Sequence, residues 1–173
     1  MGALDLSNLP DTTSQAYHGT SAANAKEILA VGFSVGRNPS LYLGDGVYFY
    51  EGDDRRAGSW ARINHRGEPP QVLRSTVRYG RCIDLGVRDH REAIEEAGRR
   101  STPALGATPE LGPTINVVAD LYEQATGDPV DTVRTIEQGR DPRAPAFPGQ
   151  ARMYAHDTRV LCARHTGCIL GTV

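Results

Sequence analysis

Apolar residues fall into short, separated sets along this chain of 173 residues, and their spacing alternates between the period of a strand and that of a helix. Ala16 to Gly19 reads as a short strand. Ser21 then caps a helix over Ala22 to Val31, because its hydroxyl can accept from an orphan N–H of the first turn. Ile28 and Leu29 form the expected buried face of that helix, and Gly32 stops it. Asn38-Pro39-Ser40 breaks the chain, Leu41 to Leu43 is expected to pair as a short strand, and Gly44-Asp45-Gly46 turns into the strand Val47-Tyr48-Phe49-Tyr50. From Asp54 a second helix is predicted, with Ala57, Trp60, Ala61 and Asn64 at helical spacing after an acidic first turn.

The rest of the chain continues the mixture. Val72 to Tyr79 is the longest predicted strand and Cys82 to Leu85 a shorter one. Asp89 and Glu92 have capping-box spacing and open a helix to about Arg100. Ser101 to Gly112 reads as a loop. Pro113 or Thr114 starts a helix through Gln124 that turns Ile115, Val118, Leu121 and Tyr122 inward, and Asp128 to Ile136 reads as one more. Arg140 to Gly149, with three prolines, predicts no regular structure. Strands at Thr158 to Ala163 and Cys168 to Val173 are expected to meet through a turn at His165-Thr166-Gly167. Residues 1–15 lack periodicity and read as a flexible N-terminal arm, leaving 16–173 as a single α+β domain with mainly antiparallel sheets.

Composition narrows the function classes. No apolar run approaches the roughly 20 residues of a spanning helix, and Met1 to Pro10 carry acids and a proline where a secretory signal has basic and apolar regions. The expectation is therefore a cytoplasmic protein with no membrane partner. Cys82, Cys162 and Cys168 are an odd count without framework spacing, so they read as reduced, buried thiols. A formal net charge of -2 gives no electrostatic case for bulk nucleic-acid binding, although arginines crowd the stretch after Asp54. Cys162-x-x-His165-x-x-Cys168 has ligand types, but zinc wants four ligands and only His156 is near, so no metal is expected. There is no Gly-x-Gly-x-x-Gly, and no Lys-Ser/Thr follows Gly44-x-Gly46, which removes the two common nucleotide loops.

Two segments carry candidate chemistry: Tyr17-His18-Gly19-Thr20 leaving a strand, and Gly44-Asp45-Gly46-Val47-Tyr48-Phe49 further on. Between them lie the Ala22 to Val31 helix and Gly32-Phe33; after them comes Ala57-Gly58-Ser59-Trp60-Ala61. In this order, positions 16 to 62 resemble the NAD-binding half of the histidine-tyrosine-glutamate branch of the ADP-ribosyltransferases, the branch of the poly(ADP-ribose) polymerases and diphtheria toxin. The resemblance implies an ADP-ribosyltransferase-like α+β fold, two packed mainly antiparallel sheets with flanking helices and an NAD cleft. It implies NAD as co-substrate, with His18 and Thr20 on the adenosine ribose, Gly19 presenting its N–H and C=O to the nicotinamide carboxamide, Tyr48 stacking on the pyridinium, and Trp60 as a second wall. Ala57 and Ser59 belong to the same binding set, Ser59 standing in for a serine that the polymerases place where Arg56 falls.

The third catalytic element of that branch is acidic. Glu137, ahead of the last strands, is the first choice; Gln150, four residues before Tyr154, is the rival, and in that case no carboxylate is present. The other large branch is excluded because no Glu-x-Glu or Gln-x-Glu occurs. The implied activity is mono-ADP-ribosyl transfer to a macromolecular acceptor, protein or nucleic acid, with release of nicotinamide. A free-standing domain of this kind fits a toxin or a phage or defence effector, whose partner is an antitoxin or immunity protein. Two alternatives stay open: an RNA 2'-phosphotransferase-like enzyme, and a non-catalytic module of the same fold that binds NAD or ADP-ribose.

Overall fold

The computed structural model describes residues 4, 6, 9, 11–38, 40–105, 110–137 and 158–173, the side chains of 101–105 excepted. In chain order these form β1 (Thr13–Ser21), α1 (Ala22–Val31), β2 (Val47–Glu51), α2 (Asp54–Asn64), β3 (Pro70–Arg78), β4 (Cys82–Asp84), α3 (Arg88–Leu105), α4 (Leu111–Thr126), β5 (Thr132–Glu137), β6 (Thr158–Ala163), a 3-10 turn (Thr166–Cys168) and β7 (Ile169–Thr172). The strands make one mixed sheet in the order β4-β5-β6-β2-β1-β3-β7, in which the β4–β5 pair alone is parallel. Local chemistry fixes the two helices nearest the cleft. The Ser21 hydroxyl accepts from the Asn24 N–H at 3.3 Å, and the Asp53 carboxylate accepts from Arg56 N–H at 2.8 Å, so each helix starts on a side-chain cap.

Where the sequence reading expects two sheets, the ladder is continuous but sharply folded. β3 and β4 stand sixth and first in the order, yet Tyr79, Gly80 and Arg81 alone join them. In a flat sheet those strands would lie about 24 Å apart. A three-residue link reaches only about 14 Å, so the sheet must curl until its ends approach. The fold line is the β1–β2 contact, where only Ala16↔Glu51 and Tyr17↔Tyr50 pair. Between the facing halves lies a core that includes Ala16, Phe49, Val77, Leu161 and Cys168; a second core places Ile83, Val133 and Val160 against Ile94 of α3 and Ile115 and Val118 of α4.

Several expectations change. β1 begins at Thr13, before Ala16, because its even-numbered residues find a full partner in β3, and Leu6 is buried at 2 % exposure in the second core. Leu41 to Leu43 is a turn, not a strand. The segment read as a helix from Asp128 to Ile136 instead supplies most of β5, whose edges are taken by β4 and β6; both pairings are distant in sequence and override local preference. α3 runs past Ser101 to Leu105 and α4 begins at Leu111, which shortens the expected Ser101 to Gly112 loop. β6 and β7 do not form a hairpin, since β2, β1 and β3 stand between them. On α1, Ala25 is the buried residue and Leu29 is 55 % exposed, so the inward stripe is rotated from the predicted one. Arg140 to Gly149 lies outside the described residues. No helix among the described residues is long and apolar enough to cross a membrane.

Candidate functional site

The cleft starts where the β1–β2 ladder stops. Antiparallel strands direct the backbone groups of successive residues to alternate sides. Arg74 exchanges both bonds with Val173, Tyr79 N–H reaches Thr12 O, and Ala22 N–H reaches Pro69 O, so even residues of β1 bond to β3 and odd ones face β2. Continuing the Tyr17↔Tyr50 register, Gly19 and Tyr48 would be the next bonded pair. They are not paired, because the His18 side chain takes the position: its Nδ1–H donates to the Tyr48 carbonyl at 2.8 Å. The Gly19 N–H and C=O are thereby turned into the opening without a ladder partner. Only glycine fits there, for a Cβ at Gly19 would lie 2.0 Å from the Ala57 carbonyl oxygen of α2.

His18 packs edge-on against Phe33 and Phe49, with ring centroids 5.2 and 5.8 Å away. A carbonyl only accepts, so Nδ1 carries the proton and neutral His18 keeps Nε2 as an acceptor. Burial lowers the imidazole pKa below 6.5 and outweighs the Tyr48 bond. The native state therefore disfavours the extra proton that the unfolded chain takes up below pH 6.5. Stability is expected to fall as pH drops from 6.5 toward the depressed native pKa, with a limiting slope of about 1.4 kcal/mol per pH unit. Urea unfolding across this range checks it: the wild-type minus His18→Gln difference should slope, and a flat difference would refute the assignment.

A cavity of about 820 Å³ opens beside these strands, within the range of small-molecule sites. His18, Gly19, Thr20, Tyr48, Trp60 and Glu137 all line it. The predicted set is thus brought together from β1, β2, α2 and β5. Tyr48 contributes its ring, because its hydroxyl is already engaged, donating to Gly44 O at 2.9 Å and accepting from Leu43 N–H at 2.8 Å. Burial pushes that phenol's pKa well up, which keeps the ring neutral. Glu137 ends β5 with Oε1 accepting from the Tyr42 hydroxyl at 2.6 Å and Oε2 3.8 Å from Arg56. Two expected members are not on the wall. Ala57 is buried beneath Gly19, and the Ser59 hydroxyl accepts from Arg62 at 3.0 Å. Gln150 lies outside the described residues.

Sequence reasoning missed Tyr42 and Tyr50 and named Arg56 only as the occupant of a serine's position; all three line the cavity. Tyr50 carried a signal, since it shares the face of Tyr48 two residues along a strand. Arg56 follows the capping Asp53 by one helical turn and points to Glu137, a contact set by the strand order. Tyr42 is carried by the turn before β2, where no periodicity marks it; its ring lies 5.7 Å from that of Tyr48. The lining offers donors, acceptors, the carboxylates of Glu27 and Glu137 and aromatic faces, a set suited to a nucleotide bearing a flat heterocycle. Compared with known proteins, the sequence matches no family model and no curated protein.

Proposed function

We propose that the protein is an NAD-dependent mono-ADP-ribosyltransferase that passes ADP-ribose to a macromolecular acceptor. The observation that carries this reading is the interrupted β1–β2 ladder: Gly19 holds out an N–H and a C=O, side by side, next to the Tyr48 ring. A carboxamide is the complement of that pair, presenting one acceptor and one donor in a plane, and a nicotinamide so held would lie against the phenol face. The seven-stranded sheet, folded into two facing halves, is consistent with the ADP-ribosyltransferase-like arrangement that the sequence resembles.

The chemistry follows from the groups present. Cleavage breaks the bond between nicotinamide nitrogen and the anomeric carbon, the electron pair leaving with nicotinamide, and the ribose develops oxocarbenium character. Of the described lining carboxylates, Glu27 and Glu137, the one beside Tyr42 and Arg56, Glu137, is assigned to hold a ribose hydroxyl and stabilise that positive charge. His18 Nε2, an acceptor in the neutral ring, suits a ribose hydroxyl on the other half of the cofactor. The acceptor nucleophile then bonds the anomeric carbon and gives up its proton. The 2'-phosphotransferase alternative needs several cations for an RNA phosphate; Arg56 is the single arginine among the described lining residues, and it faces Glu137.

Calorimetric titration with NAD tests the reading. Wild type is expected to bind saturably, and His18→Ala to bind roughly 5- to 150-fold more weakly, as expected for a buried partner removed at a cost of about 1–3 kcal/mol. Wild-type protein that takes up no NAD would end the proposal.

A further inference from the structure

A second cluster lies at the seam where the curled sheet closes, far from any role in the cleft. Asp131, just before β5, is its hub. Its N–H donates to Arg81 O at 2.9 Å, its C=O accepts from Arg164 N–H at 2.9 Å, and its Oδ2 accepts from Arg81 N–H at 2.7 Å. The remaining oxygen, Oδ1, is 2.8 Å from His165 Nε2. Cys168 Sγ approaches the same imidazole, 3.4 Å from Nε2, and donates to Asp131 O at 3.3 Å. One atom from each of Asp131, His165 and Cys168 lies within 4.8 Å of the others. We propose that these three side chains bind one divalent cation of the zinc class, with solvent as the fourth ligand, and that the ion staples the β6–β7 crossover to the start of β5.

Carboxylate, imidazole and thiolate together are a donor set that suits zinc, and hard cations such as Mg2+ avoid the sulfur. Tetrahedral zinc holds neighbouring ligand atoms about 3.4–3.6 Å apart; Sγ lies 3.4 Å from Nε2 and 3.5 Å from Nδ1, over the ring, so the half-exposed imidazole must turn to aim Nε2 at the ion. The Oδ1–Nε2 contact must open by about 0.6 Å, as the shared proton is replaced by the ion. Asp131 and Cys168 are buried, whereas the His165 side chain is 40 % exposed, which provides both an entry path and a solvent position. Arg81, 3.9 Å from Asp131, is drawn off by Asp128 at 2.9 Å. Cys162, the other thiol of the sequence pattern, is not part of the group: its sulfur points to the Gly44 and Asp45 carbonyls.

Binding is a substitution without oxidation. Sulfur–zinc, nitrogen–zinc and oxygen–zinc bonds form; the S–H bond breaks and the Cys168 proton goes to solvent, while the proton between Asp131 and His165 leaves Nε2 and a proton is held on Nδ1 by exchange with solvent. Because the thiol must lose its proton to bind the ion, the apparent affinity should rise with pH near neutrality. The site is independent of NAD, and its test does not depend on the cleft.

Tag-free protein is titrated with Co2+ as an optical probe and then with Zn2+. The expected result is a thiolate-to-cobalt charge-transfer band that saturates at one equivalent, is bleached by one equivalent of Zn2+, and is lost in Cys168→Ser. His165→Ala, at a half-exposed position, should weaken affinity at least about tenfold. If Cys168→Ser does not fold, Asp131→Asn and His165→Ala decide by the same titration. Folded wild type without the band, or a band of equal affinity in His165→Ala, overturns the proposal.

Discussion

Arg134→Ala is expected to lower the unfolding free energy by about 3–5 kcal/mol, among the largest single-residue effects the fold allows outside its apolar cores. Arg134, on β5, donates from Nε to Glu51 at 3.1 Å and from Nη1 to Asp84 at 3.0 Å. Both carboxylates are nearly covered, Glu51 at 5 % side-chain exposure. The Tyr79 hydroxyl also donates to Glu51, and the guanidinium stands over the Tyr79 ring, 5.4 Å from its centroid. One cation therefore satisfies acids from β2 and β4 across the curled sheet. Its removal leaves two buried carboxylates without their partner, and that desolvation, more than the lost attraction, sets the magnitude. Urea denaturation measures it; a loss under about 1 kcal/mol would mean that the acids reach water. Glu51→Gln in the Arg134→Ala background should recover part of the loss by removing one orphaned charge.

The second large effect concerns reaction, not folding. Glu137→Gln is expected to reduce transfer of labelled ADP-ribose from NAD by about 100- to 1000-fold, with NAD affinity changed less than about tenfold. The amide keeps the volume and can still accept from the Tyr42 hydroxyl, so the pocket is preserved while the negative charge is lost. A carboxylate that matters chiefly as charge develops lowers turnover far more than binding. Incubation with separate protein, RNA and DNA pools reads the result and identifies the acceptor class. Transfer that survives in Glu137→Gln but fails in Gln150→Ala would give the third position to Gln150; binding without transfer to any pool would favour the non-catalytic module.

The sequence made local features legible and hid those set by distant partners. α1 and α2 follow from Ser21, Asp53 and Asp54, which cap or polarise their own first turns, and β6 follows from an apolar run bounded by polar residues. β5 was hidden because its order comes from β4 and β6, one of them a parallel neighbour, and neither pairing leaves a trace in Asp128 to Ile136. The curl was hidden for the same reason, since a three-residue link between β3 and β4 reads as an ordinary turn until the strand order is known. In the site, His18 and Tyr48 were legible through the ordered motifs that resemble a known family. Arg56 and Tyr42 were not, because what places them is contact with Glu137, 81 and 95 positions later in the numbering. The seam cluster was half visible: His165 and Cys168 are close in sequence, but the third donor, Asp131, is supplied by the fold.

The crease between β1 and β2 has a mechanical side. Two paired positions, one further backbone bond from Gly52 to Gln15 and one imidazole tie walls that otherwise part company, which makes this a compliant joint in the sheet. A guest gripping both walls would act as a brace across it, so tenancy of the pocket and stiffness of the whole curled sheet become a single property.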